Sequence, residues 1–303
     1  MALPVDDPRR ALAAPTRPDV SHRLPRAPHV TEWVQFPSHG VLDRSQYERG
    51  QNFVVAYTPL TAGEAVEETL IPDEHIVLLT QPDVRLAVTG AGAQATLEEP
   101  GVVIMPPGDS SITADRDCTV LRVFSSFATS VVARAANAAS YESPDPAVTP
   151  LPQQKTAMTA KPELHRMSDV PEDPTRLGRI FRTSHLMINW FAEQIGPRNA
   201  DKLSPHVHDD FEQGSVTLAG DFIHHFRTPW TPRLSEWRAD QAAACASPSV
   251  AIIPPGVVHT TRAVGEGSHQ LIDVFAPPRT DFLERGWVLN AAAYCDTHTT
   301  ATS

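Results

Sequence analysis

Cysteine is scarce in this chain. Its 303 residues include three, Cys118, Cys245 and Cys295, widely spaced and with no CxxC pair. That argues against a disulfide framework and against a thiolate zinc site, and reads as free thiols in a reducing compartment. Cys245 lies in Ala242-Ala243-Ala244-Cys245-Ala246-Ser247 with no base nearby and reads as inert. Positive charge is short as well: 25 Lys and Arg stand against 36 Asp and Glu, a formal net charge of −11. Such a chain does not attract phosphate backbones, and no basic run is interleaved with aromatics, so nucleic acid is not an expected partner. Long apolar runs are missing, at the N-terminus and elsewhere. The expectation is a soluble, cytoplasmic protein without a membrane partner. Glycine, at 15 residues, is outnumbered by 29 prolines. Proline fixes φ and removes a backbone donor, which disfavours long helices and favours short strands, turns and extended connections.

What is present fits that bias. Hydrophobic residues make up 41 % of the chain, enough for real cores. Short apolar runs at 52–57, 75–80, 84–89, 101–105 and 119–124 have strand length, and strands resume at 184–192, 214–218, 221–226, 250–253 and 270–275. Residues 126–139 are the best helix candidate on propensity. The proline-dense stretch 141–174 reads as a linker, and 1–28, rich in Pro, Arg and Ala, as a flexible arm. Chemistry then divides the chain into a first domain at 29–140 and a second at 175–303.

An internal repeat ties the two together. Ile104-Met105-Pro106-Pro107-Gly108-Asp109-Ser110-Ser111 matches Ile252-Ile253-Pro254-Pro255-Gly256-Val257-Val258-His259, and Leu121-Arg122-Val123-Phe124 matches Ile272-Asp273-Val274-Phe275. A repeat at half the chain length means a duplicated domain. The match also explains Gly108-Asp109-Ser110-Ser111 better than a hydrolase serine block would.

The strongest local signal is Pro205-His206-Val207-His208-Asp209-Asp210-Phe211-Glu212. On a strand, residues two apart share a face, so His206 and His208 can aim both imidazoles inward. Glu212 can return on the next strand, and His259 follows the second Pro-Pro-Gly turn. Imidazoles and a carboxylate with open positions left over are how catalytic iron sites are built.

At these residues the sequence resembles the cupin superfamily. His206, His208 and Glu212 match its first motif, and Pro254, Gly256 and His259 its second. Gly220 comes one residue late, and Ala200, Pro248 and Ala263 stand where the motifs have glycine, glycine and asparagine. The resemblance implies an all-β protein of two tandem cupin (double-stranded β-helix, or jelly-roll) barrels with few short helices. It implies one divalent first-row metal ion held by His206, His208, Glu212 and His259, with Fe(II) first and Mn, Ni or Zn as alternatives. The first half sets Leu70, Pro72, Ile76 and Ser111 at the ligand positions, so no metal site is expected there. His75 beside them reads as structural. Residues 228–248, with Trp230, Trp237 and Arg238, read as an inserted loop.

Around the centre, alternation turns either His224 or His225 inward as a base or substrate donor. Gln213, Arg227 and Gln270 are candidate substrate-binding residues, and one parity of the strand carrying Gln270 and Asp273 faces the pocket. The resemblance implies a metal-dependent enzyme acting on a small molecule. A non-haem iron dioxygenase of a small organic acid, diketone or aromatic compound comes first. A non-redox isomerase, decarboxylase, lyase or hydrolase is the alternative, and a non-enzymatic binding protein the third. Relatives of this fold often dimerise, so a homodimer is a possible assembly.

Overall fold

The computed structural model describes residues 23–34, 45–153, 159–170 and 172–294. The greater part of the N-terminal arm and Cys295 lie outside them. The two α-helices among the described residues are a single turn or little more, Thr129–Val132 and Thr280–Glu284, and the rest is strands, turns and 3₁₀ turns. The expected helix over 126–139 shrinks to that first turn, followed by a 3₁₀ turn at Ala138–Tyr141. No helix among the described residues is long and apolar enough to cross a membrane.

The strands form four sheets. In the first half, Phe53–Leu60, His75–Leu79, Gly101–Met105 and Cys118–Ser125 build the larger sheet, and Ala65–Ile71, Leu86–Gly90, Ala93–Leu97 and Gly108–Ala114 the smaller. The second half repeats the plan. Met187–Trp190, Gln213–Ala219, Ser249–Ile253 and Ser268–Phe275 lie in its larger sheet, and Asp221–Arg227, Gln241–Ala246 and Val258–Val264 form the smaller. The strand Gln241–Ala246 lies inside the stretch read as an inserted loop and pairs with Asp221–Arg227. The loop proper is therefore the shorter piece that carries Trp230 and Trp237.

The two larger sheets pack face to face. Val55, Ile76, Leu78, Ile104 and Val123 of the first meet Ile188, Val216, Val250, Ile272 and Val274 of the second in one apolar cluster. At about 1.5–3 kcal/mol for each buried aliphatic side chain, this cluster is the main bond between the halves. The opposite parity of each strand faces its own barrel. In the first barrel that face is largely apolar, filled by Val77, Leu79, Val103, Met105, Ile112 and Val120, and holds the buried Glu68–Arg122 ion pair. In the second it is polar and titratable.

The halves also trade strands. His29–Glu32 pairs with Ser249–Ile252 of the second half's sheet, not with the first half that follows it. Glu163–Arg166, inside the stretch read as a linker, pairs with 101–104 of the first half. Each exchanged strand covers an edge that would otherwise expose unpaired backbone groups.

A buried lock repeats on the two sides of the interface. Asn137 exchanges side-chain hydrogen bonds of 2.9 Å with both backbone groups of Arg49, whose guanidinium lies 4.9 Å from the Tyr141 ring. Asn290 makes the same pair of bonds to Arg182, which lies 5.0 Å from Tyr294. The matching stretches Asn137-Ala138-Ala139-Ser140-Tyr141 and Asn290-Ala291-Ala292-Ala293-Tyr294 are a second trace of the duplication.

Candidate metal centre

His206 lies at the inner face of the second barrel, tied to the strand Val258–Val264. Its backbone N–H donates to the His259 carbonyl at 3.0 Å, and the His259 N–H donates back at 2.8 Å. This bridge sets the two imidazoles side by side, ring centroids 4.3 Å apart. His208, two residues on, turns the same way and lies 4.9 and 5.1 Å from the other two rings. One ring nitrogen from each of the three falls within 4.8 Å of the others.

The tautomers are set by the backbone. His206 Nδ1 donates to the Ser204 carbonyl and His259 Nδ1 to the Val257 carbonyl, each at 2.9 Å. A proton held on Nδ1 leaves the Nε2 lone pair for a cation. His259 Nε2 is buried without a hydrogen-bond partner. An orphaned imidazole nitrogen with two further imidazoles converging on it fits a divalent cation, since a buried polar atom without a partner is costly. Burial is the first cause that keeps all three rings neutral, aided by their mutual repulsion and by Arg279. It pushes His206 down to about 4, His259 to about 3, and His208 well below its ordinary value. Neutral imidazole is the ligand form.

Glu212 does not join them. Its carboxylate is buried at the interface between the halves, where it accepts from the Gln51 N–H and, at 3.1 Å, from the Tyr141 hydroxyl. Glu74 of the first half does the same in mirror fashion, accepting from the Ser184 N–H at 2.9 Å and the Tyr294 hydroxyl at 3.0 Å. The reason is parity. Along Gln213–Ala219, Gln213, Ser215 and Thr217 face the barrel, so Glu212 shares the orientation of Gly214 and Val216 and faces the other sheet. A carboxylate that recurs in both halves, one of them without a histidine cluster, belongs to the interface.

Gln213 is the residue that faces the histidines instead. Gln213 Oε1 lies 2.9 Å from His208 Nε2, and its amide donates to Ser215 Oγ at 2.8 Å. Ser215 in turn donates to Asp273 Oδ1 at 2.7 Å. The late Gly220 was the missed signal: counted from Gln213 instead of Glu212, its spacing is regular. Gly220 has φ +83°, and a side chain there would strike His269, so the turn needs glycine.

The centre opens into a cavity of about 260 Å³ lined by His206, His259, Gln213, Ser215 and Asp273, with Arg198 and Arg279 at its wall. Burial is the first cause that raises the Asp273 carboxyl to about 7, opposed by the Ser215 bond and by Arg279. Of the strand carrying Gln270 and Asp273, the parity of Asp273 faces the cavity; Ser215, Arg198 and Arg279 were not singled out from sequence as substrate contacts, because each sits singly among apolar or loop residues.

Of the other candidates, His224 faces inward. It is buried, with Nδ1 2.9 Å from Thr261 Oγ1 and Nε2 without a partner. His225 takes the opposite face. Arg227 is exposed and pairs with Asp240, away from the cavity. Gln270 has the wrong parity, and its amide donates to the Phe191 carbonyl at 3.0 Å.

The first half's counterparts also shift. Glu68 stands opposite Ser110, as His206 stands opposite His259. His75 pairs with Met105 and Phe124 as Gln213 pairs with Ile253 and Phe275. The inward set is therefore Glu68, His75 and Ser110, with Leu70 on the bulged edge, rather than Leu70, Pro72, Ile76 and Ser111. A different Pro-Pro-Gly turn moves the parity by one: Gly108 already lies within a strand, whereas Gly256 precedes one.

No protein-family model matches the chain, and no curated protein sequence does. Solved structures do resemble it. An IolB-like protein from Salmonella typhimurium LT2 aligns at TM-score 0.50 and 12 % identity, over 82 % of this chain and 93 % of that one. The oxalate decarboxylase–formate complex from Lactobacillus farciminis aligns at 0.49 and 13 %, over 75 % and 78 %. A putative glyoxylate-induced protein from Pseudomonas aeruginosa aligns at 0.49 and 12 %, over 86 % and 93 %. At such identities the likeness concerns the fold.

Proposed function

We propose, for a chain whose fold is that of the bicupins, a metal-dependent enzyme with one working centre, in the second barrel. The carrying observation is the convergence of His206, His208 and His259 with two of the rings fixed by backbone carbonyls and an orphaned nitrogen at the middle. These three would hold a divalent first-row ion, with Gln213 as the fourth donor. When bound, such an ion supplies Lewis acidity and, as Fe(II), electrons for dioxygen chemistry.

The chain's own residues do the rest. Three imidazoles and an amide carry no charge, so the full charge of a bound cation would be left to attract an anionic ligand. Arg198 and Arg279 add positive potential at the cavity wall. The Gln213–Ser215–Asp273 chain fixes the amide and keeps its oxygen turned toward His208. The walls displace water from whatever is bound.

We take dioxygenation of a small organic acid or diketone as the first reading. A non-redox lyase, decarboxylase or isomerase is the second, favoured by the Asp273 carboxylate, a group able to accept a substrate proton inside the cavity. Oxygen uptake decides between them. Protein loaded anaerobically with Fe(II) is offered 2-oxo acids and 1,3-diketones, with consumption followed by electrode and product by mass spectrometry. Uptake that disappears in His206→Ala supports the first reading. Equal turnover under nitrogen overturns it in favour of the second.

A further inference from the structure

The strand registers divide the second barrel's interior into layers. On Ser268–Phe275, the inward residues are Phe275, Asp273 and Leu271, paired with Gln213, Ser215 and Thr217. On Val258–Val264 they are His259, Thr261 and Ala263, paired with Phe226, His224 and Phe222. Both strands thus run from the metal-binding layer, through a polar layer, to an apolar one. At ~3.3 Å per residue the four steps from Phe275 to Leu271 span about 13 Å.

The cavity reaches all three layers. Leu271, Ala263, Phe222 and Phe191 line its far part, with His269 and Gln194 beyond Leu271. Phe222 is buried and packs with Ala263 and Leu271, while Phe191 is half-buried and its neighbour Ala192 is exposed. An apolar sleeve therefore lies between the histidine triad and solvent. In the first barrel the corresponding positions are apolar side chains packed on one another: Leu79, Leu86, Ala114 and Val120.

We propose that the ligand of this centre carries an oxygen-donor head and an apolar tail, alkyl or ring, that lies in the sleeve formed by Phe191, Phe222, Ala263 and Leu271. The inference rests on the metal-centre reading above and names its substrate class. A two-carbon dicarboxylate satisfies the head alone and leaves the sleeve unused. A polar tail would give up its water among Phe222, Ala263 and Leu271, and meets polar side chains, His269 and Gln194, only beyond them. An alkyl tail gains with each methylene it buries.

The test uses the full chain loaded with Co(II), its metal content measured first. Oxalate, pyruvate, 2-oxobutanoate, 2-oxohexanoate and 2-oxooctanoate are titrated calorimetrically, and the Co(II) visible spectrum reports binding at the ion. Affinity is expected to rise about two- to fourfold for each methylene buried, through 2-oxohexanoate. Two variants act in different ways. Ala263→Leu fills the sleeve and should flatten the series while leaving pyruvate binding intact. Leu271→Asn should flatten it by removing apolar wall. Both should keep wild-type metal content. A series flat in the wild type, or a rise that survives in both variants, overturns the sleeve while leaving the metal centre standing. Failure to take up Co(II) overturns the metal centre, and the head-group assignment with it.

Discussion

Glu68 and His206 occupy the same place in the two halves, each on the strand segment that faces the residue after the Pro-Pro-Gly turn, Ser110 and His259 respectively. What each holds differs. Glu68 binds the guanidinium of Arg122 at 2.6 Å, with Arg134 on its other oxygen, and Arg122 is fully buried. Arg122 itself stands where the second half has Asp273. The first barrel thus carries its cation as a side chain, with Thr58 and Tyr47 taking further guanidinium hydrogen bonds. The second keeps imidazoles and an open cavity. The duplicated scaffold has been closed by an ion pair in one half and left open in the other.

That ion pair makes the first barrel's stability testable. Removing one partner leaves the other charge buried, which costs about 3–5 kcal/mol. Arg122→Ala should lower the free energy of unfolding by about that amount in urea titration. Metal uptake by the remaining folded protein should be unchanged. A loss below about 1 kcal/mol would mean that Arg134 and solvent compensate.

Gln213 and Glu212 are separable by metal analysis. Glu212→Gln should retain full metal stoichiometry, because the carboxylate lies at the interface. Gln213→Ala should weaken divalent-metal affinity by roughly 10- to 100-fold, in the range seen when a ligand or its support is lost. Gln213→Glu should tighten it, since a carboxylate adds charge to a neutral donor set. Inductively coupled plasma analysis and competition with a chelator read all three.

His75 predicts an acid-sensitive term. It is buried with neither ring nitrogen bonded, stacks on Phe124 at 4.9 Å, and is pushed down to about 3, first by burial and then by Arg122. The folded value is lower than the unfolded one near 6.5, so the contribution is present above pH 6.5. It is lost as pH falls from there toward 3. His75→Phe should therefore flatten the acid limb of the stability curve, gaining on the wild type at pH 4.5 relative to pH 7.5. Urea midpoints at the two pH values measure the difference, and parallel curves would refute it.

The strand exchange predicts that the halves do not fold alone. A fragment of residues 175–303 lacks His29–Glu32 from its sheet edge and exposes the apolar face that Val55, Ile76 and Val123 cover. It should show no cooperative unfolding transition by circular dichroism. Adding residues 1–174 should restore one. Cooperative unfolding of the fragment by itself would count against the exchange.

The sequence by itself pointed to the all-β class, the duplication and the three histidines that the structure brings together. A continuous apolar run places the strand Gly101–Met105 and an alternating one Asp221–Arg227, each to within a residue, because run length and period are local properties. His206, His208 and His259 were legible because two motifs fix them independently. Only the tertiary structure decided that Gln213 and not Glu212 faces the histidines. Adjacent residues on a strand face opposite sheets, and a spacing of three or four between histidine and ligand allows either. The same one-residue ambiguity misplaced Ser111 for Ser110 and Gln270 for Asp273's face. Strand exchange and the Glu212–Tyr141 contact join residues far apart in sequence, and no local pattern encodes which half's edge a strand will cover. Periodicity specifies that a residue alternates, and register against a neighbouring strand specifies toward what.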